Sequence, residues 1–278
     1  MSAATLYIIA TPIGNLEDMT YRAVRILGEV DLVAAEDTRH SLKLLTHFGI
    51  SKSMTSYFDH NQQFKGERIL NMLRQGKSVA LISDAGTPCI SDPGYQLVRD
   101  AVAEGIPVIP VPGACAAVAA LSASGLPSDN FTFAGFPPSR QGKRRSFLKE
   151  MAKLPGTLVL YEAPHRLEET LRDMLEVLGE RHVVVARELT KIYEELIRGS
   201  VSQVLETVSQ GKVRGEIVIL IEPGEKIEPE SLSLEETLQT LMRDDALSLK
   251  DAAKKAAEIT GVSRSEAYSA ALKLRDEA

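Results

Sequence analysis

Residues able to take part in chemistry gather where the predicted strands of this 278-residue chain end. The sharpest case is the segment SDAGTPCISDPG, residues 83–94, which separates an apolar strand from a helix. Connectors of this length inside α/β units are usually functional. Its carboxylates, Asp84 and Asp92, could bind a cationic ligand or a pair of hydroxyls. They could equally satisfy backbone N–H groups in turns, and their spacing does not decide between the two roles.

Two other loops combine turn-forming and small residues. Residues 10–16, ATPIGNL, follow the first predicted strand, and their glycine would let the backbone approach a ligand closely. Residues 111–120, VPGACAAVAA, read as a strand end, a tight turn and a helix that begins with small side chains. The space left beside that helix could hold a ligand or a closely packed backbone.

Charged side chains end two later strands. The segments YEAPHR, residues 161–166, and ARELTK, residues 186–191, are candidates for substrate contact because charged strand ends often face a cleft. Their Glu and Arg side chains could also simply pair with each other.

A basic segment covers residues 139–153, with six cations against one acid. The local charge of +5 contrasts with −6 for the whole chain, so any phosphate contact must be local. A solvated helix face is the plain alternative, but the segment adjoins the sequence Phe-Pro-Pro at residues 136–138 and a predicted domain boundary, which favours a function. Its cations are Arg140, Lys143, Arg144, Arg145, Lys149 and Lys153.

Composition and missing motifs exclude several classes of protein. With 44% hydrophobic and 25% charged residues, the chain is typical of a globular protein. It lacks an apolar run of the roughly 20 residues that cross a bilayer, and its first residues predict no signal peptide, so we expect a cytoplasmic protein. Its two cysteines and five histidines show no metal-ligand spacing. Glycine motifs of nicotinamide-binding folds, P-loops and α/β-hydrolases are absent.

The order of predicted elements indicates an α/β fold with three domains. Strands alternate with amphipathic helices through residues 1–124, which predicts a largely parallel sheet. Strands outnumber helices in residues 125–225, which predicts a mixed sheet. Residues 226–278 predict a small helical domain whose last two helices have a helix-turn-helix appearance. Because acids outnumber bases there, packing or dimerisation is as good a reading as nucleic-acid binding.

Six segments, in this order, resemble the tetrapyrrole methylase superfamily. Within it, they are similar to the branch that methylates a cytidine 2′-hydroxyl in the decoding region of small-subunit ribosomal RNA. Where tetrapyrrole-modifying members usually have Gly-Asp-Pro, this chain has Ser83, Asp84 and Ala85, which fits the RNA-modifying branch. The segments are residues 11–16 (TPIGNL), 35–39 (AEDTR), 83–94, 111–113 (VPG), 161–166 and 215–218 (GEIV).

The resemblance implies that S-adenosylmethionine binds in a cleft between two α/β domains. It also implies a homodimer that acts on the small ribosomal subunit and its RNA, with neither DNA nor a membrane as partner. No metal site is expected. The cofactor contacts carried over are Pro12, Gly14, Asp84, Ala85, Gly86, Cys89, Ile90, Pro112, Gly113, Ala114, Ala117, Tyr161, Glu162, Ala163 and Gly215.

Methyl transfer to a ribose hydroxyl requires alignment of the oxygen, the methyl carbon and the sulfur, and it is helped by a base that accepts the hydroxyl proton. Glu36 and Asp37 are the first candidates for this base, and Glu188 is the third. Cations are expected to hold RNA phosphate or the developing alkoxide. Those expected on RNA are Arg39, Arg140, Lys143, Arg144, Arg145, Arg166, Arg187 and Lys191.

Two other functions remain open from the sequence. One is a methyltransferase acting on a tetrapyrrole or another small molecule, for which a basic segment is unnecessary. The other is a non-catalytic RNA-binding protein that keeps the cofactor cleft as a relic.

Overall fold

The computed structural model describes residues 4–58, 62–211, 213–224, 233–243 and 247–276. The chain separates into two compact units, residues 1–224 and 225–278. The first unit contains two five-stranded sheets, and the described part of the second is helical. In the described ranges, no helix combines the length and the apolar character needed to cross a membrane.

The first sheet is wholly parallel, with strand order β3-β2-β4-β1-β5. Of its three inner strands, β2 and β4 are buried along their whole length, as expected when helices cover both faces. The three-residue strand β3 is absent from the sequence prediction because it is too short to show a period. The strands are β1 (Leu6–Ile9), β2 (Leu32–Ala35), β3 (Met54–Ser56), β4 (Val79–Ile82) and β5 (Val108–Val111), and the helices are α1 (Tyr21–Glu29), α2 (Thr38–His47), α3 (Gln62–Arg74) and α4 (Tyr95–Ala103).

The second sheet is mixed, as the sequence predicts, with strand order β6-β7-β10-β8-β9. Strands β6 and β7 are parallel, and the other pairs are antiparallel. Its strands are β6 (Phe131–Phe133), β7 (Thr157–Glu162), β8 (His182–Arg187), β9 (Glu195–Ser200) and β10 (Ile217–Ile221), and the helices after β5 are α5 (Ala116–Ser124), α6 (Gln141–Met151), α7 (Leu167–Leu178) and α8 (Val201–Ser209).

Alternate residues of the second sheet face two separate cores. Val183 and Val185 point toward the core formed with α6, α7 and α8, whereas Val184 points toward α5. Ala117 and Ala120 of α5 are buried in this second core. The small side chains that open α5 therefore give close packing on the second sheet, although the helix falls within the range 1–124 predicted as the first domain.

The second unit is built around small side chains. Ala252, Ala256, Ala267 and Ala271 are buried with Leu238 in its core, so its helices approach closely. The helices are α9 (Leu234–Arg243), α10 (Leu249–Thr260) and α11 (Arg264–Asp276). The three helices agree with the small helical domain predicted for residues 226–278, of which residues 226–232, 244–246, 277 and 278 lie outside the described residues.

Candidate active site

The candidate site lies at the carboxyl ends of the parallel strands of the first sheet, where open α/β sheets bind ligands. The loop after β1 is joined there to the loop after β4. Thr11 donates its N–H to the Gly86 carbonyl at 2.9 Å and accepts the Gly86 N–H at 3.1 Å, and its hydroxyl donates to the Ser83 carbonyl at 3.1 Å. The two loops that sequence analysis singled out therefore form one structure.

The loop after β4 carries unusual backbone angles. Cys89 and Ser91 have φ values of 70° and 66°, in the left-handed region that non-glycine residues rarely occupy. Thr87 fixes the loop to the turn before α5 by donating its hydroxyl to the Ala114 carbonyl at 3.0 Å. Backbone strain held in place by surrounding bonds is concentrated at functional sites in proteins.

A first cavity of about 300 Å³ opens between the loops of the first sheet and the ends of β7 and β10 in the second. Its walls are mainly apolar, with the Asp92 and Glu216 side chains among them. It is lined by Ile13, Ala85, Gly86, Thr87, Ile90, Ser91, Asp92, Cys115, Ala116, Phe136, Tyr161, Glu162, Ala163, Pro164, Leu189, Gly215, Glu216, Ile217 and Val218.

A second cavity of about 530 Å³ adjoins the first and shares Ile13, Ala85 and Glu216 with it. Its other walls come from the loop after β1, from one face of α2 and from the turn after β8. It is lined by Thr11, Pro12, Ile13, Gly14, Leu16, His40, Lys43, Leu44, Asp84, Ala85, Lys191 and Glu216.

The structure divides the predicted cofactor residues into three groups. The first group lines the first cavity, and the second group lines the second cavity, with Ala85 common to both. The third group lies outside the walls of both. The groups are, in turn, Ala85, Gly86, Ile90, Tyr161, Glu162, Ala163 and Gly215; Pro12, Gly14, Asp84 and Ala85; and Cys89, Pro112, Gly113, Ala114 and Ala117.

Packing explains why several residues of the third group resemble site residues. A side chain at Gly113 would place its Cβ 2.9 Å from the Ala10 Cβ, so close contact between two loops requires glycine there. Ala117 is 3% exposed on the second sheet. Cys89 is half-buried against Gly94, where its sulfur fills the space of a missing side chain. These residues shape the loops around the cavities.

Tyr161 forms an aromatic wall of the first cavity. Its ring centroid lies 4.8 Å from that of Phe133 and 5.6 Å from that of Phe136, in edge-to-face arrangements. Its hydroxyl accepts the Ala117 N–H at 3.3 Å. Burial raises the pKa of Tyr161 to about 12. The ring is therefore a fixed, neutral surface.

Glu162 and Arg166 hold the start of α7. Glu162 is 2% exposed and accepts the Thr170 hydroxyl at 2.6 Å and the Ala163 N–H at 2.8 Å. Arg166 lies 3.3 Å from that carboxylate and donates to the Pro137 carbonyl. Only 18% of the Arg166 side chain is exposed. Arg166 therefore helps to fix this loop, and its predicted contact with RNA stays a prediction.

The acidic residues after β2 and β4 lie together. Asp84 accepts the Asp37 N–H at 3.0 Å, and its own N–H donates to Glu36 at 3.4 Å. Asp37 also caps α2 by accepting the Arg39 N–H at 2.8 Å. Its side-chain hydrogen bond with Arg39 lowers the pKa of Asp37 to about 2. Such an acid is a weak proton acceptor at neutral pH.

Glu188 occupies a turn that joins the two sheets. Its carboxylate accepts a hydrogen bond from the Lys191 ammonium at 2.8 Å and another from the Glu216 N–H at 3.0 Å. The hydrogen bond from Lys191 lowers the pKa of Glu188. Glu188 and Thr190 have φ values of 51° and 66°. The Thr190 hydroxyl accepts the Asn15 N–H at 3.1 Å, which ties this turn to the loop after β1.

The basic segment is less available to RNA than its composition suggests. Arg144 is 1% exposed and donates to Asp173 at 2.7 Å, so the prediction that Arg144 binds RNA is wrong. Arg145 bonds the same carboxylate at 2.7 Å and pairs with Glu176. Although burial acts to raise the pKa of Asp173, these bonds lower it overall.

Two exposed cations precede Arg144 and Arg145 in the chain. Arg140 and Lys143 are exposed and make no ion pair within the described ranges. Arg187 pairs with Glu195 at 2.9 Å, and Arg39 pairs with Asp37. The surface able to attract phosphate around α6 is therefore smaller than the local charge of +5 indicates.

Apolar walls of the first cavity were missed by sequence reasoning. Ile13, Leu189 and Val218 are of the same type as core residues, so no sequence signal distinguishes them. Asp92 was recognised as a candidate but was not assigned to the cofactor. In the described part of the chain, no group of three or more His, Cys, Asp or Glu side chains is placed to hold a metal ion.

The chain that forms these two sheets and their cavities matches a known family. Residues 5–205 match the model of the Tetrapyrrole (Corrin/Porphyrin) Methylases. The chain belongs to this family, which confirms the predicted α/β class of fold. The structure is also similar to uroporphyrin-III C-methyltransferase from Thermus thermophilus complexed with S-adenosylhomocysteine, with a TM-score of 0.55 and 20% identity over 81% of this chain and 99% of that one.

The particular branch follows from nearer relatives. Residues 228–275 match the model of the RsmI C-terminal HTH domain. The chain is 50% identical to ribosomal RNA small subunit methyltransferase I of Pseudomonas aeruginosa, over 98% of each chain. It is 48% identical to the protein of that name from Halalkalibacterium halodurans, over 95% of this chain and 93% of that one. These matches place the chain in the ribosomal RNA small subunit methyltransferase I branch and confirm the resemblance.

Proposed function

We propose that this protein transfers a methyl group from S-adenosylmethionine to a cytidine 2′-hydroxyl in the decoding region of small-subunit ribosomal RNA. The observation that carries the proposal is the pair of adjoining cavities at the strand ends of a chain half identical to ribosomal RNA methyltransferases. One cavity serves the cofactor and the other opens toward the substrate.

The residues of the first cavity fit the cofactor. Its volume is within the range of small-molecule sites, and the Tyr161 ring with the apolar ends of β10 suits an adenine base. The backbone at Gly86 and Gly215 has φ values of 80° and 90°, which keeps side chains out of the space between the loops. When bound, S-adenosylmethionine supplies an electrophilic methyl group on a sulfonium. The protein's own contribution is to hold the ribose oxygen in line with it.

The proton of the attacking hydroxyl needs an acceptor near the shared wall. Asp37 and Glu188 are each hydrogen-bonded to a cation, which weakens them as bases. Glu36 and Asp37 remain the first proposed bases, with Glu188 third, because Glu36 and Asp37 follow β2 beside the cavity residue Asp84. Removing an effective general base reduces the rate by roughly 10²–10⁴-fold. Near-normal single-turnover rates in Glu36→Gln, Asp37→Asn and Glu188→Gln would all have to be observed to reject a carboxylate base.

The remaining site assignments are proposals of the same kind. Arg140 and Lys143 are exposed beside α6 and suit electrostatic contact with the ribosomal subunit. Lys191 lines the second cavity and Arg187 ends β8, and both are ion-paired. We also propose that the protein works as a homodimer in the cytoplasm, as the family resemblance implies.

Labelled S-adenosylmethionine tests the function directly. The protein is incubated separately with unmethylated small ribosomal subunits, naked ribosomal RNA and a precorrin, and the label is then located. Label on a cytidine ribose of the subunit RNA supports the proposal. Label only in the precorrin would replace it with a tetrapyrrole substrate, and the absence of any transfer alongside measurable RNA affinity would indicate a non-catalytic binder.

A further inference from the structure

The second cavity is placed where a methyl acceptor has to lie. Reacting atoms in a methyl transfer must approach to about 3–3.5 Å, so the acceptor must occupy space that opens onto the cofactor. The second cavity does so through the shared residues Ile13, Ala85 and Glu216. Its volume of about 530 Å³ is appropriate for one nucleotide, since small-molecule sites span roughly 300–1,000 Å³.

One face of α2 forms a side of this cavity. His40, Lys43 and Leu44 are three and four residues apart, so they share a face of the helix, and all three line the cavity. Leu44 is 9% exposed and anchors the helix, whereas His40 and Lys43 are exposed. On this side, the cavity therefore has one buried apolar side chain, Leu44, beside two exposed polar side chains, His40 and Lys43.

The two lysines that line this cavity, Lys43 and Lys191, differ in whether an acid neutralises their charge. Lys191 is bonded to Glu188 at 2.8 Å and lies 3.3 Å from Glu216. Across the described part of the chain, the Lys43 ammonium makes neither an ion pair nor a hydrogen bond. An uncompensated cation at the edge of a site attracts an anion, and in a polynucleotide the anion is the backbone phosphate.

We propose that the second cavity receives the target nucleotide and that Lys43 binds a backbone phosphate of that nucleotide, with His40 beside it. This inference rests on the proposed function. Asp84 and Glu216 also line this cavity, and their carboxylates are acceptors suited to ribose hydroxyls. Lys43 thereby fixes the position of the strand while these acceptors hold the sugar.

The test compares Lys43→Glu with Lys77→Glu in the full-length protein. Lys77 is also exposed. It precedes β4, whereas the cavity residue Asp84 follows β4, so Lys77 lies at the opposite end of that strand. We expect Lys43→Glu to raise KM for small subunits about 10-fold or more, the range for a lost hydrogen bond to a charged group. Lys43→Arg, which keeps the positive charge, should have a KM close to that of the unaltered protein. The slope of log affinity against log salt should fall by about 0.7, one phosphate contact on single-stranded RNA.

Two results would overturn the inference. One is an equal KM for Lys43→Glu and Lys77→Glu. The other is a loss of S-adenosylmethionine affinity in Lys43→Glu, measured by calorimetry, because the cavity would then belong to the cofactor. Failure of the proposed function shows separately, as no label in subunits treated with unaltered protein. In that case, the binding of a fluorescent ribosomal RNA fragment to the two Glu variants decides the inference alone.

Discussion

Replacing Arg144 by methionine separates a structural role from an RNA-binding role in the basic segment. Arg144 lies on α6 with its side chain 1% exposed and donates to Asp173 of α7, whose side chain is also 1% exposed. Methionine keeps the length and apolar volume of the arginine stem but removes the charge. The variant leaves Asp173 buried with two remaining donors, Arg145 at 2.7 Å and Gln141 at 3.2 Å.

The expected loss of stability arises because Asp173 stays buried after one of its partners is removed. Breaking a buried ion pair by removing one partner costs about 3–5 kcal/mol, and the two donors that remain place this case near the lower end. A loss of about 3 kcal/mol lowers the melting temperature of a unit of this size by roughly 6–12 °C. The free energy of unfolding is measured by urea titration followed by circular dichroism.

The neighbouring residue Lys143 provides the matched control. It is exposed and makes no ion pair in the described residues, so Lys143→Met should change the stability by less than about 0.5 kcal/mol. RNA affinity measured well below the melting temperature should be nearly unchanged in Arg144→Met. Normal stability together with weakened RNA binding in Arg144→Met would refute the reasoning and restore Arg144 as an RNA contact.

Two further predictions concern the loops around the cavities. Gly215 has a φ of 90° and lies against the Glu188 carboxylate, so Gly215→Ala should displace that carboxylate and weaken S-adenosylmethionine binding, measured by calorimetry; an unchanged Kd would contradict this. The pKa of Asp37 is lowered from 3.8 to about 2 by its bond to Arg39. Its contribution to stability is therefore complete above about pH 4 and is lost as the pH falls toward 2. The difference in unfolding free energy between the unaltered protein and Asp37→Asn should shrink over that range, and a difference independent of pH would argue against the pair.

The fold follows closely from local sequence pattern, with exceptions that have physical causes. Buried strands such as Val79–Ile82 are continuous apolar runs, which a parallel sheet requires on both faces. Strand Met54–Ser56 has three half-buried residues and no readable period. Helix Ala116–Ser124 is recognisable from its small residues, but its choice of sheet depends on contacts between residues far apart in the chain.

The site is predictable in its loops and less so in its side chains. Residues 83–94 stand out because their Asp, Gly and Pro content is unusual for a connector. Seven of them line a cavity, and four of these seven were predicted to contact the cofactor: Asp84, Ala85, Gly86 and Ile90. Arg144 misleads because a charged residue in a basic run gives no sign of a buried partner 29 positions away. His40 and Lys43 give no sign either, since their role depends on which face of α2 meets the loops.

The turn at residues 188–191 has a thermodynamic consequence for how two ligands bind. Leu189 lines the first cavity and Lys191 lines the second, and the turn between them is tied at Glu188 and Thr190 to both sheets. A ligand that displaces this turn on one side changes the free energy of binding on the other side. Under the proposed function such coupling would be reciprocal, so that cofactor and acceptor would each change the dissociation constant of the other by the same factor.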